Sequence, residues 1–234
     1  MTTRLIIARH GNTFLPDEAP TRVGAHTDLP LVEKERGTNV GRYLTLKGYQ
    51  PNIVFAAPLK RTLQTAELAI NALDGSIPLE IDNSFIEIDY GPDENKTEPE
   101  VELRLGKHYL QKEGKDIGNF PEEEIMERGR LVIKDWNTQA IVPDGWKVDP
   151  KAMLNTWLTI AKKVEKDFKD KNVMVVSSNG IIRFAPYITG DFEAFAKEHD
   201  LKVTTGGVCV FEKEDNKPWT CTEWNIKPKK FLTD

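Results

Sequence analysis

The sequence predicts an α/β protein, a three-layer α/β/α arrangement around a mostly parallel sheet. Apolar runs of strand length recur along the chain, among them "LIIA" at 5–8, "IVFAA" at 53–57 and "NVMVV" at 172–176. Amphipathic stretches with helical spacing separate them. Strands that alternate with helices pair in parallel and need cover on both faces of the sheet.

Residues 4–8 read as a buried strand that ends in "RHGNT" and is followed by a polar loop through residue 30. Val40, Tyr43, Leu44 and Leu46 stand near helical spacing in a helix over 33–47, and Gly48 sits where a helix C-cap is common. A second strand over 53–57 runs into Pro58, which opens a helix over 59–73 with an apolar stripe of Leu59, Leu63, Ala66, Leu68, Ala69 and Leu73. "LEI" at 79–81 is a third, short strand. Residues 92–172 carry helical patterns over 98–113, 121–137 and 150–169 and read as a helical insertion over the sheet. A central strand follows at 172–176, then "SSNGIIRF" leading into a helix. The segment from Gly206 to Trp224 reads as a C-terminal hairpin with its turn around 214–217, adding antiparallel strands. The expectation is a single domain over residues 1–234.

At 234 residues the chain can bury a sizeable core. Lys+Arg total 32 against 37 Asp+Glu, and the resulting net charge of −5 argues against nonspecific nucleic-acid binding. The apolar runs are too short for a membrane span, and the first residues lack the layout of a signal peptide. Two cysteines can build neither a disulfide framework nor a Cys₄ or Cys₂His₂ zinc site. These features predict a cytoplasmic protein without nucleic-acid or membrane partners. A homodimer is compatible with all of them.

In parallel sheets, ligands bind at the carboxyl ends of the strands. Two strands here end in polar, Gly-containing loops, "RHGNT" at 9–13 and "SSNG" at 177–180. The first offers an imidazole for nucleophilic attack, an arginine for anionic oxygens and a glycine that lets backbone approach a ligand. A structural histidine at a strand end fits the same three residues. "APLKRTLQTAELA" at 57–69 puts Arg61 in the first turn of a helix, where the dipole disfavours a cation unless an anion is near. The alternative is a solvated surface arginine. Glu87 lies near Asp89, Asp93 and Glu94, so a surface carboxylate is one reading of it.

Taken in order, "RHGNT", "TDLPL" at 27–31, "PLKRTLQTA" at 58–66 and "FIEIDYG" at 85–91 resemble the motifs of the histidine phosphatase superfamily, the phosphoglycerate-mutase-like fold. The resemblance covers nearly the whole chain. It implies phosphoryl transfer through His10 as nucleophile, with Arg9 and Arg61 on the equatorial oxygens, where charge spreads in a loose transition state. Asn12 and Thr13 would donate from the rim. Glu87 would protonate the leaving alcohol and then act as base for water. The resemblance implies a phosphorylated small-molecule substrate and neither a metal nor another cofactor.

One position departs from the family pattern. The family's Ser-His-Gly-Gly is here Ser177-Ser178-Asn179-Gly180, so Ser178 stands where a second histidine is expected. Three readings follow. Ser178, the Asn179 amide and backbone N–H groups together cradle the phosphoryl group; or His26, in the loop expected to border the site, takes the histidine's place; or the chain is a weak or inactive phospholigand-binding relative. Hydrolysis is preferred over mutase-type transfer, because a mutase must shield its phosphohistidine from water.

Several other residues draw a reading. Arg183, one helix turn past Asn179, either faces the pocket or pairs with the acidic surface, the second being preferred, and His108 and His199 are read as solvated. Lys96, Arg104, Lys107, Arg128 and Arg130 in the insertion are candidate contacts for an acidic substrate, with surface solvation as their alternative. Cys209 and Cys221 would be cross-strand neighbours if the hairpin turned about Asp215, staying reduced in a cytoplasm.

Overall fold

A computed structural model describes residues 2–73 and 75–232. Strand β1 (Thr3–Arg9) leads to helix α1 (Glu35–Lys47), β2 (Ile53–Ala56), α2 (Lys60–Asn71) and β3 (Leu79–Ile81). Three helices follow: α3 (Glu98–Lys112), α4 (Glu122–Gln139) and α5 (Pro150–Asp167). The chain closes with β4 (Asn172–Ser177), the short α6 (Asn179–Ile182), α7 (Phe192–Glu198), β5 (Val208–Lys213) and β6 (Thr220–Ile226).

The strands form one sheet in the order β3-β2-β4-β1-β5-β6. The first four are mutually parallel, and β5 and β6 are antiparallel, as expected for an α/β sheet closed by a hairpin. Strand alternation divides the core. Leu5 and Ile7 of β1 join Val173 and Val175 of β4 against Trp157, Ile160 and Val164 of α5. Ile6 and Ala8 face the other way, with Met174 and Val176, onto Val40 and Leu44 of α1 and Ala66 and Ala69 of α2. Both faces of β1 are therefore dry, which explains its uninterrupted apolar run.

The insertion is held by local chemistry as well as by packing. Thr97 and Glu100 form a capping box at the start of α3, and the Asp149 carboxylate accepts the Lys151 and Ala152 N–H groups at the start of α5. Helices α3 and α4 pack so closely that a Cβ at Gly106 would run into the Ile125 carbonyl. Asp93, 1% exposed, takes a bidentate pair from Arg104 and accepts the Trp146 indole N–H at 2.7 Å. That pair joins the base of the insertion to the chain leaving β3.

Two details differ from the sequence expectations. The helix after β4 is a single α turn followed by a 3₁₀ segment at Ala185–Thr189, because Pro186 has no N–H to continue the ladder. The C-terminal hairpin turns about Asn216 (φ 61°), and Cys221 lies opposite Phe211, not Cys209. Register irregularities between Val208 and Phe211 add a further offset, and Cys209 Sγ instead lies 3.4 Å from the Asn225 N–H. No described helix is long and apolar enough to cross a membrane.

Candidate active site

Parallel pairing brings the ends of β1 and β4 side by side, with Arg9 opposite Ser177. The chain just beyond β1 is fixed on both sides: the His10 N–H donates to the Ser177 carbonyl (3.0 Å), and the His10 carbonyl accepts the Gly206 N–H (3.0 Å). A cavity of about 760 Å³ opens here, with Arg9, His10, Glu87, Tyr90, Asn179 and Arg183 among its walls.

His10 is 6% exposed, and its Nδ1 lies 2.7 Å from the Gly11 carbonyl oxygen. A carbonyl only accepts, so Nδ1 carries the proton and Nε2 keeps its lone pair. Burial, reinforced by the charges of Arg9 and Arg61, holds the His10 pKa well below the ordinary imidazole value of 6.5. The ring is thus neutral and nucleophilic at physiological pH.

Arg9 Nη1 donates to the Val203 carbonyl at 2.6 Å. Arg61 is fully buried at the start of α2; its Nη1 donates to Thr27 O (2.7 Å) and its Nη2 to Gly24 O (3.2 Å) and Val23 O (3.3 Å). The polar loop after β1 is thereby folded over a guanidinium that acts on His10 through its charge. Neither arginine forms an ion pair among the described residues, and the Nε of each is buried without a partner.

Glu87 is 5% exposed, so it is not the surface carboxylate that its acidic neighbours allow. Its Oε1 accepts the Ile88 N–H (2.9 Å) and its Oε2 the Gly180 N–H (3.2 Å). A Cβ at position 180 would collide with Oε1, so glycine is the residue that lets α6 deliver this bond. Burial raises the Glu87 pKa; Arg61, the two N–H groups and Arg9 oppose that rise. A carboxyl with a raised pKa can hold a proton for a leaving group.

The remaining sequence candidates divide. Asn12 and Thr13 line the cavity. The Asn12 amide fits its surroundings with nitrogen donating to Thr205 Oγ1 (2.6 Å) and oxygen accepting from Arg36 Nη2 and Nε (3.2 Å each). Asn179 also lines the cavity, while its Oδ1 accepts the Val203 N–H at 2.8 Å. Ser178 is fully buried, and its Oγ has no hydrogen-bond partner. His26 is not among the cavity walls: its exposed ring turns outward to Asp89, 3.1 Å away. It therefore does not stand in for a second histidine.

Arg183 overturns the surface reading, being 1% exposed and part of the cavity wall. Its guanidinium lies 3.8 Å over the Trp136 ring, and its Nη1 donates to the Trp136 carbonyl at 2.6 Å. The sequence signal was an arginine set within an apolar run, Ile181-Ile182-Arg183-Phe184-Ala185. Tyr90, Arg22, Asn137, Lys202 and Thr205 are further wall residues that sequence reasoning missed.

One group of described residues has metal-compatible spacing, His26, Asp89 and Glu94, on the outer surface. Its ligand atoms already serve each other and the loop: His26 and Lys147 reach Asp89 Oδ2, and Glu94 Oε1 accepts from His26 N and Thr27 Oγ1. That is a loop clasp.

A neutral histidine and a buried, raised-pKa carboxyl among unpaired arginines, at the strand ends of a parallel sheet, form the kind of site that handles anionic oxygens. The chain belongs to the histidine phosphatase superfamily (branch 1), whose family model matches residues 5–140. Among curated relatives, the 2,3-bisphosphoglycerate-dependent phosphoglycerate mutase of Bifidobacterium longum (strain DJO10A) is 31% identical over 112 residues, 45% of this chain and 44% of that one. The mutase of Corynebacterium diphtheriae is 30% identical over 130 residues, 53% of this chain and 50% of that one. The matches thus span about half the length of these relatives. Among solved structures, a mycobacterial hydrolase superposes with a TM-score of 0.66 at 17% identity, covering 97% of this chain and 100% of that one. The phosphoserine phosphatase of Entamoeba histolytica, in complex with 3-phosphoglyceric acid, gives 0.63 at 17% identity, covering 95% and 96%. At these identities the structural likeness speaks for the fold.

Proposed function

We propose that the chain is a phosphomonoester hydrolase that works on a phosphorylated small molecule through a phosphohistidine at His10. The observation that carries this reading is the Nδ1 contact with the Gly11 carbonyl, which leaves Nε2 unprotonated beside Arg9 in the cavity. In the first step Nε2 attacks phosphorus, the bond to the leaving oxygen breaks, and the Glu87 carboxylic acid gives that oxygen its proton. Arg9, and Arg61 through its charge, stabilise the negative charge on the transferring group. In the second step the Glu87 carboxylate takes a proton from water as the water oxygen attacks phosphorus. The N–P bond breaks and inorganic phosphate leaves.

Mutase-type transfer is the second reading, supported by the curated relatives, which are mutases over the matched half. Hydrolysis is favoured because the position that the family resemblance gives to a second histidine holds a neutral serine. A roomy, polar cavity is also poorly suited to keeping water from a phosphohistidine.

The test is to mix the protein with 4-nitrophenyl phosphate, quench in alkaline detergent and map phosphate on the His10 peptide. Phosphate on His10 in the unsubstituted chain, and none in His10→Ala, is expected. No phosphate on His10 and no hydrolysis above the uncatalysed rate, the unsubstituted chain and His10→Ala being alike, would remove the enzyme reading in favour of a phospholigand-binding role. Adding an alcohol acceptor separates the two enzymatic readings: release of phosphate to water marks a hydrolase, and capture by the acceptor a mutase.

A further inference from the structure

The bonds that fix the end of β1 stop at His10, whose backbone N–H and carbonyl are both engaged. The acceptor that orients the imidazole, the Gly11 carbonyl, belongs to the next residue. A glycine has no Cβ to restrict its backbone, so that carbonyl keeps its aim only if something holds the residue.

Two side chains hold it. The buried Gly11 N–H donates to Thr65 Oγ1 at 3.0 Å, and the following N–H, that of Asn12, donates to Glu33 Oε1 at 3.4 Å. The first bond is the closer one. Thr65 lies on α2, 54 positions from Gly11, and is fully buried. Its hydroxyl donates to the Arg61 carbonyl at 2.7 Å, one helical turn back. An N–H only donates and a carbonyl only accepts, so both directions are settled: the hydroxyl gives its proton to Arg61 and its lone pair to Gly11. One side chain thus joins the turn that carries Arg61 to the residue that faces the imidazole.

Packing alone does not call for that hydroxyl. Thr65 shares the buried side of α2 with Ala66 and Ala69, where a valine would fill the same volume without a polar atom. Thr62, also buried on α2, spends its hydroxyl on the Ala57 and Leu59 carbonyls at the entrance of its own helix. Thr65 reaches across to another segment.

We propose that Thr65 is a positioning residue for the nucleophile: by holding the Gly11 N–H it keeps the Gly11 carbonyl on His10 Nδ1, and so leaves Nε2 with its lone pair. Glu33 is the lesser hold, from the other side of Gly11. The proposal rests on the reading of His10 as the nucleophile. Without the hydroxyl, the Gly11 N–H is buried with no acceptor, and the glycine rotates to relieve it, taking its carbonyl off the ring. The imidazole can then carry its proton on Nε2, and in that tautomer Nε2 has no lone pair for phosphorus.

The test reads the ring directly. The full chain is prepared with isotope-labelled histidine and its ring nitrogens are followed by NMR at neutral pH; His10→Ala identifies the His10 signals among the four histidines. A protonated Nδ1 and a bare Nε2 are expected in the unsubstituted chain. Thr65→Val should move the signals toward the Nε2-protonated form, and Thr65→Ser, which keeps the hydroxyl, should return them. With 4-nitrophenyl phosphate, Thr65→Val should lower kcat about tenfold with KM changed by no more than about twofold, and Thr65→Ser should recover most of the loss. A folded Thr65→Val with Nδ1 still protonated would overturn the proposal. So would an unsubstituted chain protonated on Nε2, or a moved spectrum with kcat unchanged. If Thr65→Val does not fold, Thr65→Cys, which puts a weaker acceptor in the same place, decides on the same spectrum: a shift toward Nε2 supports the proposal and no shift overturns it. The expected spectra without any phosphohistidine would count against the hydrolase reading and leave the positioning of His10 by Thr65 standing.

Discussion

The insertion and the cavity treat their cations in opposite ways. In the insertion each candidate contact with a described partner meets a carboxylate: Arg104 with Asp93, Arg130 with Glu102 and Glu123, Arg128 with Glu124, Lys96 with Glu100. At the strand ends Arg9, Arg61 and Arg183 receive only carbonyl oxygens and an aromatic face. Both regions are rich in positive charge, and sequence alone does not separate them. Carboxylate pairing marks the cations of the insertion, and its absence marks Arg9, Arg61 and Arg183 among the described residues.

Substitutions at His10 should break this contrast most sharply. His10→Ala is expected to lower phosphatase turnover by about 10³-fold or more while the fold persists, measured by steady-state kinetics beside circular dichroism. Glu87→Gln should cost about 10²- to 10³-fold with an alkyl phosphate and much less with 4-nitrophenyl phosphate, whose leaving group needs no proton. On the scaffold side, Arg104→Met leaves Asp93 buried without its cation and should destabilise the protein by about 3 kcal/mol in denaturant unfolding.

A pH profile sharpens the same comparison. Glu87 must be protonated for the first step, and burial raises its pKa, so kcat/KM for an alkyl phosphate should fall as pH rises through that raised value. That limb should be missing in Glu87→Gln. His10 must be neutral, and its depressed pKa places the acid limb well below 6.5. Stability follows the sign of that depression. Below 6.5 the unfolded chain protonates this imidazole before the folded one does, so stability is lost as pH falls toward the folded value. The smallest effect belongs to the surface: Arg128→Ala, removing a half-exposed pair with Glu124 at 3.8 Å, should change stability by no more than about 0.5 kcal/mol.

The parts of the fold set by local pattern were legible in the sequence. The apolar runs of β1, β2 and β4, the stripe of α2 and the Gly48 cap of α1 each follow from residues within one element. Residues set by contacts between distant segments were not. Trp136, 47 positions earlier, covers Arg183; the apolar run around Arg183 hints at burial, but nothing in it names that partner. His26 turns outward because Asp89 waits there, and the cysteine register shifted because the hairpin turns about Asn216 and not Asp215, with irregularities in β5 adding to the offset. The order of motifs placed Arg9, His10 and Glu87 in one cavity; the wall facing the insertion came from the structure alone.

The double anchoring of the His10 backbone, to Ser177 on one side and Gly206 on the other, makes this residue a fixed point at the strand ends. Its coordinates belong to the sheet and are set when the sheet forms. Sequence drift in the loop over 14–30 or in the insertion can therefore reshape the cavity without displacing the His10 backbone. In such a molecule the choice of substrate and the act of bond-making are separately adjustable, and new selectivity can arise with the chemistry left in place.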